Sequence, residues 1–134
     1  MKKSAYKKQV RRIRQLADRW IRPLGLAWWT IDQHYYKSPS NFHKVTGASS
    51  RDTVARCVAD WRYRTAQISF NVSVWRWLSD AEAEKSFVHE LMHIFLAEIM
   101  DCGDDQKAHL ERVCTTLADA FVWSRQGKSS IPDG

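Results

Sequence analysis

Helices flanking a short sheet, an α+β arrangement within one domain, are what this sequence predicts. Three patterns point there: a basic amphipathic stretch at the amino end, period-two alternation in the middle, and two stretches of helical periodicity after Ser79. At 134 residues with 44% hydrophobic side chains, the chain has material for one core and not for two. A single domain over 1–134 is expected.

The first element is a helix over about 4–22. Tyr6, Val10, Ile13, Leu16, Ala17 and Trp20 recur at three- and four-residue steps, and Pro23 and Gly25 end the run. Charge gathers in this arm. Residues 1–23 hold nine basic groups (Lys2, Lys3, Lys7, Lys8, Arg11, Arg12, Arg14, Arg19, Arg22) against one acid, Asp18, while the rest of the chain is close to neutral. Such a face can rest on nucleic acid or an acidic partner. No base-reading motif accompanies it, so an apolar stripe packed inward with solvated cations outside is the expected arrangement.

Three strands follow. Residues 25–36 are rich in aromatic and β-branched side chains, 37–51 have loop composition, and strand-like runs cover 53–63 and 66–75. In the last run Ile68, Phe70, Val72 and Val74 alternate with polar neighbours, the pattern of a sheet with one wet face. A mostly antiparallel three-stranded sheet is expected, its faces filled by the seven tryptophans.

At Ser79 the period changes. Ser79-Asp80-Ala81-Glu82 is a capping box, and the chain then runs without a breaker to about Met100, apolar almost all round from Phe87. That is a buried central helix. Asp101-Cys102-Gly103-Asp104 breaks it, and a second helix runs from about 105 to 125 on a stripe of Leu110, Val113, Cys114, Leu117, Ala118 and Phe121. Residues 127–134 read as a disordered tail.

No apolar run reaches the roughly 18–20 residues that cross a bilayer, and the amino end lacks the apolar segment of a secretory signal. Cys57, Cys102 and Cys114 are odd in number and form no CxxC pair. A reduced, cytoplasmic protein without a membrane is expected, its thiols inert.

Within the central helix lies His89-Glu90-Leu91-Met92-His93, an HExxH motif. Four residues at about 100° each return His93 nearly to the azimuth of His89, so both imidazoles can bind one metal ion, Zn2+ by the ligand type. Glu90 can then reach a water on that metal and act as general base, handing the proton to a leaving amine. Two buried histidines and a buried carboxylate are costly without such compensation.

A catalytic zinc needs a third protein ligand. Glu98 points to the opposite side of the helix, about 180° from His89. Leu96 and Ile99 stand where a metzincin needs Gly and His. Asp101, Asp104 and Asp105 could reach only if the turn folds back. On the next helix His109 and Glu111 cannot both face the metal, and Glu111 lies nearer the core stripe. The expected set is His89, His93 and Glu111, with His109 on the solvent side or behind the ligands. Tyr63, His34, Tyr35, Tyr36 and His43 are available as donors to an oxyanion.

HExxH followed by a glutamate on the next helix resembles the gluzincin branch of zinc metallopeptidases, in the short form of phage and bacterial HExxH proteins and, distantly, of the ImmA/IrrE peptidases. The resemblance covers roughly residues 50–125. It implies a minimal zincin-like fold with an active-site helix, a glutamate helix, and a sheet strand that binds an extended protein or peptide substrate. By that resemblance 66–75 would lie nearest the cleft. Thermolysin-like enzymes carry an aspartate one turn after the ligand glutamate; here that position is Thr115, and Asp119 lies two turns on. The expected activity is zinc-dependent peptide-bond hydrolysis. Two alternatives are a SprT-like DNA-associated protease with His109 as third ligand, and a non-catalytic module acting through its basic helix.

Overall fold

The computed structural model describes residues 1–48, 50, 53–100 and 107–126. Helix α1 (Lys3–Trp20) is followed by β1 (Thr30–Tyr36), α2 (Pro39–Thr46), β2 (Ala55–Asp60), β3 (Thr65–Asn71), the single turn α3 (Val72–Trp75), α4 (Asp80–Phe95), α5 (Ala97–Met100) and α6 (Lys107–Arg125). The architecture is α+β, with a three-stranded sheet in the order β1-β3-β2. The tail at 127–134 and the turn carrying Cys102, Asp101, Asp104 and Asp105 lie outside the described residues.

The sheet is mixed, not mostly antiparallel. β2 and β3 are joined through residues 61–64 and pair antiparallel, whereas β1 pairs with β3 in parallel. Parallel neighbours need a crossover, and α2 lies in it. Arg64, at φ 53°, closes the tight β2–β3 connection, and its carbonyl accepts the Thr30 N–H at 2.9 Å where β1 begins.

Helix α2 occupies residues read as loop. Ser38 caps it by accepting the Asn41 N–H, Pro39 fits the first turn, and Gly47 at φ 71° ends it in the left-handed region. Its Phe42 is fully buried and meets Tyr36 edge-on at 6.0 Å.

Strand β3 stops at Asn71, short of the expected Trp75. Across four residues a strand and a helical turn both bury alternate-looking positions, and here Val72 and Trp75 go inward together from one turn. The Asn71 amide donates to the Thr53 carbonyl and the Trp75 indole to that of Val54, which ties the turn to the chain before β2. None of the seven tryptophans lies in a strand; Trp20 and Trp75 are buried on helices, and Trp28 and Trp77 are exposed.

One core runs from Val10 of α1 through Ile68 and Phe70 of β3 and Phe87, Val88, Leu91 and Met92 of α4 to Val122 of α6. Phe87 stacks on Phe70 with ring centroids 6.0 Å apart. Each large side chain so buried contributes about 1.5–3 kcal/mol. Arg12 fastens α1 to the entry of α4, donating to the carbonyls of Trp75 (3.0 Å) and Leu78 (2.8 Å) and to Asp80 (3.1 Å).

Two helices differ from expectation. The central helix breaks at Leu96 (φ −104°, ψ 13°), with no Gly or Pro to mark the spot, and Phe95 and Ile99 are exposed. On α6 the buried stripe is Leu110, Cys114, Ala118 and Val122, with Val113 and Phe121 exposed. The small side chains at 114 and 118 let α6 approach α4 closely, and that rotation turns Glu111 towards the HExxH residues.

Candidate metal centre

The capping box fixes the start of α4: the Ser79 hydroxyl accepts the Glu82 N–H at 3.1 Å, and the Glu82 carboxylate accepts the Ser79 N–H at 3.3 Å. Three turns on, His89 and His93 project from one flank with ring centroids 5.0 Å apart and their Nε2 atoms at 3.2 Å. Glu111 reaches across from α6. Its Oε1 lies 2.6 Å from His89 Nε2 and its Oε2 3.3 Å from His93 Nε2. Ligand atoms of these three residues all fall within 4.8 Å of one another.

The donor set fits a zinc ion. Bonds of about 2.0–2.1 Å at tetrahedral angles hold ligand atoms roughly 3.3 Å apart, the spacing that both contacts of His93 have. The His89–Glu111 contact is tighter and has the length of a strong charge-assisted hydrogen bond. The cluster is reachable from solvent, since the Glu111 side chain is 52% exposed and those of His89 and His93 22% and 18%.

The other ring nitrogens also meet α6. His89 Nδ1 is 3.3 Å from the Thr115 hydroxyl oxygen, which itself donates to the Glu111 carbonyl at 3.2 Å. His93 Nδ1 is 4.0 Å from the Cys114 sulfur. Burial holds the His93 ring below its usual range, against an opposing pull from Glu111. That keeps a neutral ring, the form a metal needs, to lower pH.

Glu90 is buried on the side of α4 that faces β2. Desolvation first, and the Glu111 charge second, push its carboxyl up to about 8, while the Arg56 guanidinium opposes them. Burial, followed by the charges of Glu111 and Glu90, raises the Cys114 thiol to about 11, and burial first raises Cys57 further. Both thiols are protonated at neutral pH, as expected of inert cysteines.

Strand β2 is the edge of the sheet beside this centre, and β3 is central, paired on both sides. That corrects the expectation that 66–75 lies nearest the cleft: a strand paired on both sides has no backbone groups left to offer. The Asn71 N–H donates to the Val54 carbonyl, so by alternation along the ladder the N–H and C=O groups of Ala55, Cys57 and Ala59 face away from β3, and no strand among the described residues pairs with them there. A cleft of about 280 Å³ lined by Val54, Ala55, His89, Glu90 and Thr115 lies at one end of β2. A second, of about 570 Å³, runs from Cys57–Arg62 to His93 at the other.

The remaining candidates are elsewhere. His109 is exposed on α6, with its Nδ1 2.6 Å from Arg112. Asp119 pairs with Lys85 at 2.9 Å. Among the proposed oxyanion donors, Tyr63 is exposed in the β2–β3 connection, His34, Tyr35 and Tyr36 are on the far strand β1, and His43 contacts the Ala48 carbonyl through Nδ1. None of the five lines either cleft. Arg56, Cys57, Cys114 and Thr115 were not singled out by sequence as parts of the centre. For the last two a signal existed, because they stand three and four residues after Glu111 on one helix face.

On α1, Arg12 and Arg19 are ion-paired with Asp80 and Glu84, and Arg14 lies over the Tyr35 ring. Lys3, Lys7, Lys8 and Arg11 are exposed. No helix among the described residues is long and apolar enough to cross a membrane. Comparison with protein-family models, with curated proteins and with solved structures finds no match.

Proposed function

We propose that this chain is a zinc-dependent metallopeptidase in which His89, His93 and Glu111 hold the metal and Glu90 is the general base. One observation carries the reading: a carboxylate from a second helix meets both imidazoles of an HExxH motif, on the flank that stays open to solvent. Zinc bound there supplies Lewis acidity, lowering the pKa of a bound water to about 7, polarising the scissile carbonyl and favouring the ionised form of Glu90.

The chain's own residues account for the rest. Glu90, itself buried beside this open flank, takes the proton of the attacking water and returns it to the departing amine; a carboxyl tuned towards neutrality suits both transfers. An extended substrate adds to the free edge of β2, where the outward backbone groups of Ala55, Cys57 and Ala59 hold it across the two clefts. Free thiols at Cys57 and Cys114 agree with a reducing, cytoplasmic setting.

The SprT-like variant needs His109 at the metal, whereas His109 is engaged with Arg112. A binding module acting through α1 draws support from the exposed Lys3, Lys7, Lys8 and Arg11. Glu90→Gln discriminates. Assayed on a quenched-fluorescent peptide library, the zinc-loaded variant is expected to lose about 100-fold or more of the wild-type rate, with zinc content unchanged. Equal rates in variant and wild type would refute the assignment of Glu90.

A further inference from the structure

We infer that Thr115 positions His89, and Cys114 more weakly positions His93, so that one face of α6 supplies the third ligand and the supports for the other two. This rests on the metal centre proposed above. The Thr115 hydroxyl has one hydrogen, and it is directed to the Glu111 carbonyl at 3.2 Å. Towards His89 its oxygen can therefore only accept, and at 3.3 Å it takes the Nδ1–H. That fixes the tautomer. With hydrogen on Nδ1, Nε2 is the nitrogen left to ligate: without metal it hydrogen-bonds Glu111 at 2.6 Å, and a metal ion would take the place of the proton shared there.

The Cys114 sulfur stands in the same relation to His93 Nδ1, at 4.0 Å. A neutral thiol is a weak acceptor, so this support is the lesser of the two. Glu111, Cys114 and Thr115 occupy positions i, i+3 and i+4 of one helix, and a single rotation of α6 sets all three contacts together. A carboxylate is the usual partner of a ligating histidine. Here a hydroxyl, anchored by its own hydrogen bond to the backbone one turn earlier, takes that place. It adds no negative charge beside the already buried Glu90.

The test is zinc affinity of the full chain, measured by competition with a chromophoric chelator. Thr115→Val removes the hydroxyl at nearly constant volume and is expected to weaken binding by about 10–100-fold. Thr115→Ser restores the acceptor and is expected to bind within about threefold of wild type. Cys114→Ala is expected to lose less than Thr115→Val does. Long-range 1H–15N spectra of the zinc-loaded wild type should show His89 protonated on Nδ1. Melting temperatures of the metal-free variants separate this effect from misfolding. Wild-type affinity in Thr115→Val, or failure of Thr115→Ser to rescue, would overturn the inference while leaving the metal centre standing. A wild type that takes up no zinc would overturn the centre itself, and the inference with it.

Discussion

Glu111 on α6 places a carboxylate oxygen 2.6 Å from the Nε2 of His89 on α4, across a helix interface closed by Cys114 and Ala118. His109, two residues earlier on the same helix, is turned outward to Arg112. The pair therefore separates the two third-ligand readings. Glu111→Ala is expected to reduce zinc affinity by more than the roughly 10–100-fold that follows loss of a supporting hydrogen bond. His109→Ala is expected to leave it unchanged. Isothermal titration of both variants checks this, and the reverse order would favour the histidine.

Glu90 makes the metal-free fold sensitive to pH in a definite direction. Its carboxyl titrates near 8 when folded and near 4.5 when free, so between those values the folded chain binds more protons than the unfolded one. Stability then falls as pH rises through that window, by up to about 4–5 kcal/mol at pH 8. Glu90→Gln carries no charge to bury. In chelator, its melting temperature should match wild type near pH 4.5 and exceed it at pH 8. Added zinc should narrow the gap at pH 8, because a nearby dication favours the carboxylate.

Glu84 joins three helices through one nearly buried carboxylate, 2.7 Å from Arg19 of α1 and 3.5 Å from Arg125 of α6. Arg19→Met leaves that charge with the more distant partner alone. A loss of about 1–3 kcal/mol is expected in urea unfolding, below the full cost of orphaning a buried charge because the Arg19 side chain is partly exposed. Adding Glu84→Leu should recover most of it; if the double variant is less stable than the single, the buried carboxylate is not the source of the loss.

The open edge of β2 makes its own prediction. The Ala59 N–H faces away from β3, so Ala59→Pro removes no ladder hydrogen bond. It is expected to raise KM for extended peptides several-fold with a smaller effect on kcat. A melting curve verifies the fold, and an unchanged KM would place the substrate elsewhere.

How legible was this molecule in its sequence? The HExxH spacing and the capping box at Ser79 announce α4 and its histidines, because both are local rules written in neighbouring residues. Elimination among the carboxylates and histidines after α4 points to Glu111, which lies beside both imidazoles, although the stripe that ranks it includes Val113 and Phe121, which are exposed. The buried positions follow a steady four-residue step, chosen by how closely α4 can be approached, and that depends on the partner helix. Helix α2 does not stand out in the sequence although Ser38, Pro39 and Gly47 mark its ends, since serine and glycine also compose loops. The parallel pairing of β1 with β3 is a non-local choice that no strand records in its own alternation. Thr115 looked like a missing aspartate and is instead a hydroxyl in contact with the same ring.

Metal analysis of the purified native chain is the decisive measurement. About one zinc per chain is expected, retained through dialysis in Glu90→Gln and lost in His93→Ala. Wild-type protein without stoichiometric metal, or His93→Ala that keeps it, would rule out a zinc centre at His89, His93 and Glu111.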